Sequence, residues 1–197
     1  PVNQGNVMQL FYNALTIDML SQTGFGEEGK YDVIKGETII KQTRDILKIN
    51  GIVTNNGITG LSGDSKVVSG EVAIDGTIYR MGNTNADNLL GYNVSAFYRE
   101  DKASDEKILL YIAANDSKNK EFIIDAEDIA DYENHTYTYY DDRDQLDEIR
   151  FSPSIDVIYN GKSLVSNYDH SNYDISNFRP QVGQVKFLDS NSDGAYE

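Results

Sequence analysis

The chain of 197 residues is 39% hydrophobic and 25% charged, and its 17 Lys and Arg stand against 32 Asp and Glu for a formal charge of −15. A surface so acidic repels a phosphate backbone, which is bound by exchanging its counterions for Lys and Arg, so a general nucleic-acid binder is excluded. With no Cys there is no disulfide framework, thiolate zinc site or cysteine nucleophile, and no apolar run approaches the ~20 residues that span a bilayer.

The chain starts without an initiating Met and without a basic and apolar leader, which reads as a processed product or an excised part of a longer chain. Asn3 is a candidate N-cap for a helix over 5–20, where Val7, Leu10, Phe11, Ala14 and Leu15 fall at i, i+3, i+4, i+7 and i+8. Three glycines within 23–29 break that pattern. A second helix is predicted over 37–47, with Ile39, Ile40, Thr43, Ile46 and Leu47 on its buried side and Asn50-Gly51 as the turn after it.

Beyond Leu47, glycines recur at short intervals between β-branched and aromatic residues, which is strand texture. Strands are predicted over 48–54 (with a bulge at Gly51), 66–74, 77–81, 92–99 and 107–113. Asn55-Asn56-Gly57 and Asp75-Gly76 supply turns, 85–90 one helical turn, and 100–106 a polar hairpin tip. These strands are expected to close into a small barrel or a curled sheet. Further strands are predicted over 121–124, 136–140, 148–151, 156–159 and 184–188, with Asn160-Gly161 as a hairpin turn. Between them, 125–130 reads as a short acidic helix or loop and 163–179 as an ordered polar connection. The fold expected is mainly β (α+β): a helical portion over 1–47 packed on a barrel-like domain over 48–118, then a second, smaller β portion over 119–197.

The sharpest chemical signal is Asp189-Ser190-Asn191-Ser192-Asp193-Gly194, which matches the D-x-[DN]-x-[DN]-G opening of a calcium loop. Side-chain oxygens at its first, third and fifth positions can converge on one hard cation, and the glycine permits the sharp turn around it. The candidate Ca2+ ligands are Asp189, Asn191, Asp193 and Glu197; the competing reading is an acidic, solvated turn with no ion. The acids of 139–148, and Asp125, Glu127 and Asp128, read as polar loop tips rather than paired catalytic carboxylates. His135 and His170 can be assembled into a triad only by free choice among many serines and aspartates, and there is no G-x-S-x-G elbow. The glycine cluster of 24–29 lacks the G-K-[ST] ending of a phosphate-binding loop. No catalytic residue is assigned, and the chain is not expected to be an enzyme. The 14 tyrosines suit half-buried strand surface, or a face that stacks on a sugar or a partner chain.

The stretch from Val2 to Leu15, Val-Asn-Gln-Gly-Asn-Val-Met-Gln-Leu-Phe-Tyr-Asn-Ala-Leu, resembles the closing helix of an S-layer homology (SLH) repeat. The remainder is similar to the β-rich region that follows such repeats in surface proteins of Gram-positive bacteria. The pieces that carry this likeness are Gly51 to Asn55, Gly70 to Gly76, Leu90 to Val94, Tyr159 to Lys162 and Leu188 to Gly194. The resemblance implies an extracellular structural module at the cell surface, whose partners are copies of itself or neighbouring assembly subunits. Where wall-binding repeats carry Thr-Arg and Glu, this chain has Asn3-Gln4 and Asn6, so the resemblance implies a helix kept for packing rather than for contact with an anionic wall polymer. A bacteriophage virion protein, or the carbohydrate-binding accessory domain of a wall hydrolase, stands as the alternative.

Overall fold

The computed structural model describes residues 3–24, 29–61, 67–133, 136–152, 154–169 and 180–196. Helix α1 (Gln4–Thr16) starts where Asn3 Oδ1 accepts the Asn6 N–H at 2.9 Å. It ends four residues earlier than the apolar spacing suggests, because Ile17 is extended (φ −77°, ψ 146°). The chain then enters strand β1 (Asp18–Gly24), which pairs antiparallel with β2 (Lys30–Thr38). Asp18 Oδ1 accepts the Gly36 N–H at 3.0 Å and ties the two strands together. The portion expected to be helical therefore carries a two-stranded sheet.

Helix α2 (Ile39–Arg44) is all that forms of the second predicted helix. Thr38 Oγ1 caps it by accepting the Lys41 N–H, and Asp45 stops it in the left-handed region at φ 54°. Its expected last turn, Ile46 and Leu47, instead opens strand β3 (Ile46–Asn56).

Strands β3, β4 (Glu71–Ile74), β5 (Thr77–Arg80), β6 (Asn93–Asp101) and β7 (Glu106–Ala114) form a closed barrel in the order β3-β4-β5-β7-β6. The β5–β7 contact is parallel and all others are antiparallel, a five-stranded Greek-key closure. Val53, Val72, Ile74, Val94, Ala96 and Leu109 fill its interior, each at 1% exposure or less. These side chains pack against one another as the barrel's core.

Gly51 pairs in regular register with Val94, so the expected bulge is not there; the irregularity of β3 falls between Val53 and Asn55, opposite β4. Glycine is required at this position for another reason. A Cβ on Gly51 would lie 2.2 Å from Asp75 Oδ2. Asp75, at φ 46° in the β4–β5 turn, folds its carboxylate onto β3 and accepts the Ile52 N–H at 2.9 Å.

The remaining strands are β8 (Lys120–Asp125), β9 (Ile129–Glu133), β10 (Thr136–Tyr140), β11 (Leu146–Arg150), β12 (Ser154–Tyr159), β13 (Lys162–Asp169) and β14 (Gln184–Asp189). They pair as β11-β10-β9, β12-β13 and β14-β8. Residues 163–169, expected in a connection, belong to strand β13, and β9 is a further strand where none was predicted. The acidic 139–148 stretch is a hairpin tip between β10 and β11, as its polarity suggests. A second core gathers Ile124, Ile129, Tyr137, Tyr139, Ile149 and Phe187. It is largely aromatic: the Tyr137, Phe151 and Phe187 rings lie 5.2–5.8 Å apart. Several tyrosines thus serve as core rather than as a binding face.

Candidate functional site

Strand β14 carries the acidic motif and enters from the second core, while Leu188, its penultimate residue, packs against the barrel core. The loop that follows is built around Asp189, which is 1% exposed. Its Oδ1 accepts the N–H groups of Asn191 (3.1 Å) and Ser192 (2.6 Å), and its Oδ2 accepts that of Gly194 (3.0 Å). Asn191 Oδ1 accepts the Asp193 N–H at 2.7 Å, and Asp193 Oδ1 that of Ala195 at 2.9 Å. Ser192, left-handed at φ 62°, sends its hydroxyl to the carbonyls of Ser117 and Lys118 and pins the loop to the β7–β8 connection.

The structure thus brings Asp189, Asn191 and Asp193 into one turn, while Glu197, His135 and His170 lie outside the described residues. The donor set is of the kind a hard cation takes, with Asn191 and Asp193 exposed at the loop surface. Each of the three side chains already accepts at least one N–H, so the turn closes on its own hydrogen bonds. Among the described residues no group of three His, Cys, Asp or Glu side chains is placed to hold a metal. Burial pushes the Asp189 carboxyl up, but donation from the N–H groups of Gly194, Asn191, Ser192 and Asp193 outweighs it and holds the group below the usual carboxylate range.

Beside this loop is a cluster not expected from the sequence. The Tyr92 hydroxyl, on the barrel, bonds to the Glu121 carboxylate of β8 and accepts from Lys186 Nζ of β14. Burial, then the bond to Glu121, raises the Tyr92 pKa, so the phenol stays protonated and acts as the donor to that carboxylate. Asn119 adds three bonds to the same seam: it donates to the Asn93 and Asn115 carbonyls and accepts the Asn93 N–H. The two cores are therefore locked together by polar groups as well as by Leu188. No local motif marks these residues, because the pairs come from distant parts of the chain.

No protein-family model, curated protein or solved structure matches this chain.

The N-terminal layer completes the picture. Tyr12 of α1 sets its ring edge-on to Phe97 of β6 at 6.1 Å, and Lys48 Nζ lies 5.2 Å from the Tyr12 centroid. None of the described residues from 3 to 50 is buried. Leu10 and Phe11 are 65% and 63% exposed, and Leu20, Tyr31 and Val33 are exposed on the sheet beside them. Among the described residues no helix is long and apolar enough to cross a membrane.

Proposed function

We propose that this chain is a non-catalytic structural module of a large extracellular assembly, a bacterial surface layer or cell-surface protein, which associates with copies of itself or with neighbouring subunits. One observation carries this reading: two filled cores are joined to an N-terminal layer that buries none of its own described side chains. A two-stranded sheet and one helix are marginal in water unless an apolar face is covered, so the layer calls for an external surface. The likeness of Val2 to Leu15 to a closing SLH helix points the same way, and an acidic composition keeps such a protein soluble before it assembles. Calcium at the Asp189 loop would steady the seam between the cores, since that loop touches the β7–β8 connection.

A second reading, a carbohydrate-binding accessory domain, draws on a surface groove of about 380 Å³ lined by Asn83, Thr84, Asn85, Leu110, Tyr111 and Ile112. Amides, a hydroxyl and an exposed tyrosine without charge suit a neutral sugar.

Light scattering and electron microscopy of the purified chain, with and without calcium, separate the two. Ordered, concentration-dependent assemblies support the structural reading. A monomer at every concentration that is pulled down by purified wall polymer supports the sugar module instead.

A further inference from the structure

The sequence contains three Asn-Gly pairs, at 50–51, 56–57 and 160–161, and the fold treats them differently. Asparagine before glycine is prone to react with its own backbone, because no side chain shields the glycine nitrogen from the neighbouring carboxamide. We propose that the turn at Asn160 is a site of spontaneous backbone modification, while the barrel protects Asn50 and Asn56. Solvent base takes the Gly161 amide proton, and the nitrogen attacks Asn160 Cγ. The N–Cγ bond forms, the Cγ–Nδ2 bond breaks, and ammonia leaves behind a cyclic succinimide. Water then opens the ring at either carbonyl, giving an ordinary aspartate linkage or an isoaspartate linkage that runs through the side chain.

Burial and hydrogen bonding separate the three sites. Asn56 is 7% exposed; its Oδ1 accepts the N–H groups of Ile58 (3.0 Å) and Thr59 (2.8 Å), and its Nδ2 donates to the Asp87 carbonyl. Attack on its Cγ requires all three bonds to break in a buried place. Asn50 and Gly51 lie in the regular pairing of β3 with β6, opposite Ser95 and Val94, and Gly51 is buried against the Asp75 carboxylate. Its nitrogen becomes free to move only when the closed barrel opens.

Asn160 has none of this protection. It is exposed, and at φ 47° with Gly161 at φ 77° it forms the two-residue turn of a hairpin closed by Tyr159 and Lys162. That closing pair leaves the Gly161 N–H outside the ladder, and no hydrogen bond among the described residues holds the Asn160 carboxamide. Ring closure needs the backbone to leave the turn conformation. The β12–β13 hairpin is a two-stranded sheet with two shifts of register, so such local opening costs little.

The change has a structural consequence. An isoaspartate adds a methylene to the main chain between Tyr159 and Lys162, and the next residue, Ser163, donates its N–H to Thr59 Oγ1 of the barrel's 57–61 turn at 2.9 Å. Conversion therefore loosens the hairpin's hold on the barrel.

The test is to age the folded chain in mildly alkaline buffer enriched in heavy oxygen and to follow label uptake by peptide mass spectrometry. The expected result is uptake at Asn160 at least about tenfold faster than at Asn50 or Asn56, with the three rates converging in a chain unfolded by urea. Asn160→Gly, which suits both left-handed turn positions, takes up no label there. Amide hydrogen exchange at Lys162 and Ser163 rises in aged wild type and not in aged Asn160→Gly. If folded wild type reacts no faster at Asn160 than at Asn56, the proposal is overturned. Equal exchange in fresh and fully converted wild type overturns the loosening of the hairpin.

Discussion

Asp189 shows how one side chain can determine a loop. Its carboxylate takes three backbone N–H groups in a buried position, so replacing it leaves those donors without partners away from water. Asp189→Ala is expected to cost about 3 kcal/mol in calcium-free urea unfolding. The pH dependence follows from the direction of its pKa. The folded value lies below the unfolded one near 3.9, so the contribution is fully present above about pH 4 and is lost as pH falls through the folded value. The unfolding midpoints of wild type and Asp189→Ala therefore converge in acid. The motif was legible in the sequence because its spacing is local. The need for glycine at position 51 was not, since it comes from a carboxylate in another hairpin that pairing brings against β3.

At the level of elements, the seam between the cores is the part most open to test. Tyr92→Phe removes the hydroxyl that links Glu121 and Lys186 while leaving the ring in place. It is expected to cost roughly 1–3 kcal/mol and to loosen the coupling of the two cores. Calorimetry then shows a van't Hoff enthalpy below the calorimetric one, where wild type shows them equal. The barrel strands were readable because burying one face imprints apolar alternation on each. Strand β2 is not legible in the sequence for the opposite reason: most of its residues are exposed, so neither face leaves a period-two signal. Strand β13 is rich in Ser, Asn and Asp, residues that otherwise favour turns, and α1 was overextended because Met19 and Leu20 continue its apolar spacing while lying in β1.

Across the whole molecule, a mainly β architecture with a short N-terminal helix was implied by composition and turn chemistry, and a small barrel was one of two closures, with a curled sheet, that the strands allowed. The barrel's closing parallel contact and the aromatic second core arise from long-range pairing and were not. The uncovered N-terminal layer was visible only as an amphipathic helix, a pattern equally consistent with packing on the chain's own core. What distinguishes the two is burial, which a sequence does not contain. On the proposed self-associating function, this layer takes its stability from an external surface, while the barrel and the second core rest on their own buried residues.

Amide hydrogen exchange measured across a dilution series tests that claim most directly. The account predicts that amides of α1, β1 and β2 exchange near unfolded rates when dilute and gain protection as concentration rises, with barrel amides protected throughout. Strong protection of α1 at every dilution would contradict it, because the layer would then be held by the single chain.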